Sequence, residues 1–456
     1  MLLGKKFQAF VDKSPVSVMV RGTLERILHP EPLEKVFQDH AVSQYTLKIT
    51  FAQCVQIMDA VVFKTVPSVG AWYKDHGHLL SATRQSMYDK LKLMEPAVSA
   101  ALVHYSGVEL LDCMRLMKGV PKETLPGLRI RILDGNCLTG TEHRLKGLRG
   151  TRAAALPGKA LVFYDPRYDL ITDAFPCEDA YTQERALLEQ ALASIVANDC
   201  VIADRNFCTT KFLFGIVERL GYFVIRQHAS NLVWQPIGKV RNAGKDGSGR
   251  QLQEQRILLT DPRTGKTKAV RRIIIPLRKA NDKGEKALNV LTNLSRKQAT
   301  ARMVADLYAE RWTIEKAFQQ LTDDLRTEID TLAYPKAALF GFCLACVAYN
   351  AVSLVKASLR ATLGAEYVEQ KLSMYYLTLE VARVMPGMDI AIPEKDWRIF
   401  RRMSAQEFVT TILAVASRIQ SEKYTKHKRG PKKPPPKKSK GKRLKHVSTA
   451  RILAAG

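Results

Sequence analysis

The chain has 456 residues, 46% of them apolar, and a net charge of +27. That length suffices for two to four domains with sizeable cores, and a basic excess this large points to a polyanionic partner, nucleic acid before any other. Residues 423–456 carry 13 Lys and Arg and no acid, so +14 stays on residues 1–422 and the body is basic without its tail.

The opening "MLLGKKFQAF" has neither a continuous apolar stretch nor a small-residue cleavage site, so no signal peptide is expected. Residues 1–125 read as helical. "TFAQCVQIMDAVVF" starts with Thr50 and Gln53 at capping-box spacing. In "TRQSMYDKLKLM", Met87, Leu91 and Met94 line one side, while Arg84, Gln85, Tyr88 and Lys92 face elsewhere. Short helices with a basic outer face suit a helix-turn-helix-like DNA module or an ordinary helical domain. His76 and His78 in "DHGH" read as loop.

The pattern changes after Pro126. "RIRILDGN" predicts a strand ending at Asp134, followed by short strands in "ALVFYD" and "DLITDAFP" around a turn at "PRY". "TQERALLEQALASIVAN" predicts an amphipathic helix, "CVIADRNF" a buried strand ending at Asp204, "TTKFLFGIVERLG" a helix closed by Gly221, and "YFVIRQ" another strand. The order is β-β-β-α-β-α-β. Beyond it, "RNAGKDGSGR" reads as loop, "EQRILLTDPRTGKTKAVRRIIIPL" as a hairpin turning at "DPRTGK", and "LNVLTNL" as one more strand.

"DLYAERWTIEKAFQQL" predicts a single helix over 306–321. At about 100° per residue, Tyr308, Arg311 and Glu315 fall within roughly 60° on one face. Residues 337–355 form 19 uncharged positions, long enough to span a bilayer, but Gly341, Asn350 and Ser353 favour a helix buried on all sides. Cys343 and Cys346 within it have C-x-x-C spacing without a second pair, which reads as helix core rather than zinc site. The eight scattered cysteines do not suit a disulfide scaffold. "SAQEFVTTILAVASRI" predicts a helix with a Ser404–Glu407 capping box, and "KHKRGPKKPPPKKSKGKRLKH" a disordered, phosphate-binding tail.

Asp134 and Asp204 each follow a buried apolar run, where a carboxylate is costly unless it is paired or binds a cation. Asp134 alone would read as a turn residue in "DG", and Asp204 alone as the ion-pair partner of Arg205. With Glu315 on a following helix they form a set of hard oxygen donors suited to Mg²⁺, with Mn²⁺ as substitute. Two such ions about 4 Å apart can clamp an in-line displacement at phosphorus.

The layout resembles DDE transposases with a ribonuclease-H-like core, and more narrowly the bacterial insertion-sequence group marked by Y-x2-R-x3-E-x6-K. "YAERWTIE" supplies Tyr308, Arg311 and Glu315, "LDGN" and "ADRNF" resemble the two aspartate motifs, and "LTNL" precedes the signature helix. The lysine of the signature is replaced by Thr322, and Lys316 points elsewhere on the helix.

The resemblance implies an α/β fold, a mixed sheet flanked by helices and interrupted by a β-rich insertion, with helical N-terminal and C-terminal domains. The expected boundaries are 1–125 for DNA-end binding, 126–227 and 298–362 for the two parts of the core, and 228–297 for the insertion. Residues 363–422 would form a helical dimerisation or synapsis region and 423–456 the basic disordered tail. Asp134, Asp204 and Glu315 would hold two Mg²⁺ ions. Arg311 would hold the scissile phosphate or orient Glu315, and Tyr308 would touch the same DNA backbone. Arg84, Arg144, Lys146, Arg149, Arg152 and Arg205 are candidate DNA contacts, the loop group being equally readable as solvated. Trp234, the only tryptophan of the insertion, either stacks on a flipped base or belongs to the core.

The activity implied is cut-and-paste transposition of an insertion element. It would begin by binding terminal inverted repeats and end in strand transfer, directly or through a hairpin. The partners would be double-stranded DNA and a second copy of the chain in a paired-end complex. No membrane and no small-molecule cofactor is expected, and the setting would be the bacterial cytoplasm, at the nucleoid. A metal-dependent nuclease without strand transfer, and an inactive DNA-binding derivative, are the alternatives.

Overall fold

The computed structural model describes residues 3–44, 46–138, 145–150, 155–228, 230, 232–280, 284–326, 332–427 and 447–455. Seven helices come first: α1 (Lys5–Lys13), α2 (Pro15–Ile27), α3 (Pro30–His40), α4 (Phe51–Val62), α5 (Val69–His76), α6 (Arg84–Lys92) and α7 (Pro96–Arg115). The Thr50–Gln53 capping box opens α4 as expected, with bonds of 3.1 and 2.9 Å. Met87, Leu91 and Met94 are buried. His76 ends α5 and stacks on Trp72, so only His78 lies outside an α-helix.

The sheet starts with β1 (Arg129–Leu138), to which β2 (Ala155–Leu156) does not belong. Then come β3 (Gly158–Asp165), β4 (Leu170–Cys177), α8 (Leu188–Ala193), β5 (Asp199–Ala203), α9 (Thr210–Glu218) and β6 (Tyr222–Arg226). Strand β1 runs antiparallel to β3 and β3 to β4, while β5 and β6 run parallel to β1. The order β4-β3-β1-β5-β6 is that of a ribonuclease-H-like core, and the α/β class holds.

Side chains alternate between two layers. Ile132, Val162, Ile202 and Val224 face the helices of both chain ends, whereas Leu133, Phe163, Val201, Ala203 and Phe223 pack on α8 and α9. The N-terminal helices share the first layer's core with the sheet, the long helix Pro335–Leu363 and the C-terminal helices.

The insertion contributes β7 (Val233–Pro236), β8 (Arg241–Lys245), β9 (Gln251–Thr260), β10 (Thr267–Pro276) and β11 (Ala287–Thr292). It extends the same sheet, because β11 pairs antiparallel with β6 and is followed by β10, β9 and β7. The hairpin turns at Asp261, whose side chain accepts from Arg263 N–H at 3.0 Å and from the Thr264 hydroxyl at 2.9 Å.

The signature segment divides into α10 (Ala301–Glu310) and α11 (Trp312–Asp324). After α12 (Pro335–Leu363) come α13 (Ala365–Lys371), α14 (Met374–Ala391) and, after two short helices, the helix Ala405–Ala416 with its Ser404–Glu407 box. Helix α12 is buried throughout its most apolar stretch and is the single helix, among the described residues, with the length and apolarity to cross a membrane. Asn350 explains the polar interruption. Its amide accepts from Ile171 N–H at 2.8 Å and donates to Ile171 O at 2.7 Å, pinning α12 to β4. Cys343 and Cys346 are buried and free.

Five further expectations need correction. Strand β1 continues past Asp134 to Leu138, because β3 keeps pairing with it. The segment 241–245 is a strand, since β9 is long enough to pair with it beside β7. The expected helix over "TQERALLEQALASIVAN" is a 3₁₀ turn plus the six residues of α8. The left-handed residue closing α9 is Leu220 (φ 57°); Gly221 is needed instead for close approach, since a Cβ there would lie 3.1 Å from Ile216 O. Finally, residues 447–455 are ordered although they fall in the expected tail. Val447 and Ser448 pair with β2, and Arg451 Nε binds Asp179 at 2.7 Å. Residues 428–446 lie outside the described residues.

Candidate active site

Register places the two aspartates together. The last parallel pair between β1 and β5 is Leu133 with Ala203, so Asp134 and Asp204 are the next residues on adjacent strands. By alternation both share the face of Ile132 and Ile202, on which α10 and α11 pack. Here β5 leaves the sheet while β1 continues, and the fork leaves a carboxylate on each branch.

The side chain of Asp134 is 20% exposed. Its Oδ1 accepts from Gly135 N–H at 2.9 Å and its Oδ2 from Arg311 at 3.0 Å. Burial pushes its pKa up to about 6, with Asp204 and Glu184 adding to the rise, while Arg311 and the Gly135 amide oppose it. Asp204 accepts from Asn206 N–H and caps the 3₁₀ turn Arg205–Phe207.

Arg311 sits between the two signature helices. The backbone tightens there, Arg311 N–H reaching Tyr308 O at 3.3 Å and Ile314 N–H reaching Arg311 O at 3.3 Å. These three-residue steps overwind the segment and break the single helix expected over 306–321. They leave the buried guanidinium between Asp134 at 3.0 Å and Glu315 at 3.4 Å, with Nε unpartnered. Tyr308 is buried beside it, and burial raises its hydroxyl pKa against the opposing charges of Arg311 and Arg226. Glu315 remains half-exposed.

The signature segment therefore sets Arg311 between Asp134 and Glu315, with Asp204 on the adjacent strand end. Among the described residues no three His, Cys, Asp or Glu side chains converge closely enough to hold a metal ion. The donor set nonetheless fits a hard divalent cation. All three groups are carboxylates, and Asp134 carries a burial cost that a cation would relieve. Arg311 supplies the positive charge that Asp134 and Glu315 now face, so joint ligation requires its withdrawal.

The other predicted residues are dispersed. Arg205 pairs with Glu285 at 3.7 Å. Lys146 and Arg149 are exposed on a turn anchored by buried Leu148, while Arg144 and Arg152 lie outside the described residues. Arg84 is exposed on α6, which packs on α4 and α12. Trp234 belongs to edge strand β7, half-buried, with the Arg272 guanidinium 5.1 Å over its ring. Strand β7 lies six positions from β1 in the sheet order, so Trp234 stands at the far edge of the sheet from the two aspartates. Thr322 is exposed and returns its hydroxyl to Phe318 O at 3.0 Å.

Two features have no sequence signal. Glu184 comes close enough to raise the pKa of Asp134, through a loop contact that periodicity does not encode. Arg131, under the fork, is buried with Asp199 at 2.9 Å, with Asp173, and with the Phe163 ring 3.9 Å from its guanidinium. His104 joins Asp173 at 2.9 Å, and that bond raises its pKa.

Residues 125–351 match the family model described as Transposase DDE domain. Comparison with curated proteins gives no match. Among solved structures, the chain is similar to one titled "Cryo-EM structure of piggyBac transposase synaptic complex with hairpin DNA". The identity is 11%, covering 90% of this chain and 84% of that one, with a TM-score of 0.37. On the strength of the domain match, with Asp134, Asp204 and Glu315 all inside it, the chain belongs to the DDE transposases, divalent-metal-dependent enzymes that cleave DNA.

Proposed function

We propose that the chain is a cut-and-paste transposase acting on the terminal inverted repeats of its own element, with Asp134, Asp204 and Glu315 as ligands for two Mg²⁺ ions. The observation that carries this reading is the register of Asp134 and Asp204 at the β1–β5 fork, facing a helix pair that brings in Arg311 and Glu315. Such ions would activate the attacking oxygen and stabilise the leaving one in an in-line displacement.

The chain's own residues do the positioning. Arg311 exchanges Asp134 for a phosphate oxygen when DNA enters, since a guanidinium fork matches either anion. Tyr308, fixed beside it, orients that guanidinium. Asp204 is held by the Asn206 amide, so its free oxygen stays on the fork. Water attacks first, and the freed 3′-hydroxyl then attacks target DNA or the opposite strand, the latter giving a hairpin. The N-terminal helices bind the repeats, and two copies form the paired-end complex.

The test is a paired-end cleavage assay with Mg²⁺ on the inverted repeats flanking the gene. Wild type is compared with Asp134→Asn, Asp204→Asn and Glu315→Gln. Cleavage and joining by wild type alone, with binding kept in all four, supports the reading. Cutting without joining indicates a nuclease, and binding without cutting by any of them a DNA-binding derivative.

A further inference from the structure

Strand β6 extends the row of the two aspartates. The register pairs Leu133 with Ala203 and Ala203 with Ile225, so the next residues on three adjacent strands are Asp134, Asp204 and Arg226. By alternation Arg226 shares the face of Ile132, Ile202 and Val224, and its charge reaches the Tyr308 hydroxyl. A cation therefore stands third in line after two carboxylates. Arg205 adds a second, directly after Asp204 in the chain.

Both arginines already hold an anion of the protein itself. Glu285 pairs with Arg226 through Oε2 and with Arg205 through Oε1, the latter at 3.7 Å. It comes from the insertion, in the connection between β10 and β11, one residue outside the bond that Leu277 N–H donates to Lys286 O at 2.9 Å. The three side chains are between 19% and 35% exposed. Ion pairs open to solvent in this way add little to stability, so the consequence of the contact lies in the charge it covers. One carboxylate offering two oxygens to two guanidinium groups has the anionic geometry that a phosphodiester would bring to them.

We propose that Glu285 is a built-in competitor of DNA: in the free protein it neutralises Arg226 and Arg205 beside Asp204, and a backbone phosphate must displace it to take those cations. The proposal rests on reading the Asp134–Asp204 fork as the place that DNA enters. The exchange replaces one bound anion by another, so these two arginines release no counterions when DNA binds. Affinity and salt dependence are both held down, whatever the DNA sequence.

The test measures binding of the inverted-repeat duplex in EDTA, by fluorescence anisotropy, to wild type, Glu285→Gln and Glu189→Gln. Glutamine keeps the length of the side chain and removes the charge. Glu189 pairs with Lys211 at 2.8 Å in the layer of α8 and α9, so its variant makes the same change in net charge, and also frees a cation, away from the arginines. Glu285→Gln should bind about tenfold more tightly than wild type, the order of one charge-assisted contact. Its plot of log affinity against log salt should be steeper by about one to two, because both arginines now release counterions to phosphate. Glu189→Gln should stay within about twofold of wild type, as expected of a screened surface charge. In an Arg226→Gln background, or in Arg205→Gln where the former does not fold, most of the gain should disappear, which is the coupling that competition requires. Equal affinity of wild type and Glu285→Gln overturns the proposal, as does an equal gain in Glu189→Gln or a full gain in the arginine-deficient background. Because no cutting is needed, tighter binding without Mg²⁺-dependent cleavage would sink the cleavage reading alone. Cleavage without the gain would sink the competitor alone.

Discussion

Asp134→Asn should make the metal-free protein more stable at neutral pH and no more stable in acid. The native carboxyl is moved from its ordinary 3.8 to about 6. At about 1.4 kcal/mol per pH unit, ionising it in the folded state costs about 3 kcal/mol, the opposing attraction of Arg311 being already included. The sign follows from proton counts. Between about pH 4 and pH 6 the folded chain holds this proton and the unfolded chain does not, so stability falls as pH rises through that window. Asparagine stays neutral and escapes the cost. Denaturant unfolding of both proteins in EDTA, at about pH 4 and about pH 8, should show a difference near zero at the first and on the order of 2–3 kcal/mol in favour of the variant at the second. A divalent cation should stabilise wild type and narrow the gap. Parallel stability profiles across the window would refute the assignment of a burial cost to Asp134.

Three further outcomes follow from other parts of the molecule. Arg131→Met should destabilise the chain by about 3–5 kcal/mol, because it leaves Asp173 and Asp199 buried without their cation, and thermal unfolding measures it. Gly135→Ala should cost no more than about 1 kcal/mol, because the atoms its Cβ would meet are the free carboxyl end of Glu184, which can swing aside, and a double-mutant cycle with Glu184→Ala measures the coupling. DNA affinity should fall by about a thousandfold or more between roughly 50 and 200 mM salt if the basic surface releases six or more counterions, which a log–log anisotropy plot would show.

Much of the fold was legible locally. The buried runs of β1 and β5, both capping boxes and the "DPRTGK" hairpin follow from periodicity and turn chemistry, which act within a few residues. Buried helix α12 was legible because Asn350 and Gly341 mark it as a core helix, although its partner, the Ile171 backbone, was not. The failures came where a neighbour decides. Residues 241–245 carry two turn-forming signals, glycine and asparagine, yet β9 offers them an open edge. The signature helix has no glycine or proline to announce its break.

The sequence by itself determined that this is a basic polyanion-binding chain. It also supplied Asp134, Asp204, Tyr308, Arg311 and Glu315 as a spaced set, because residue type and interval are written along one dimension. Only the tertiary structure decided that Asp134 and Asp204 stand in register at a fork, that Arg311 lies between Asp134 and Glu315, and that Trp234 is six strands away. It also brought Glu184 to the back of β1 and Glu285 to Arg205 and Arg226. Those are distances between segments tens to hundreds of residues apart, and strand order and register set them, not local propensity.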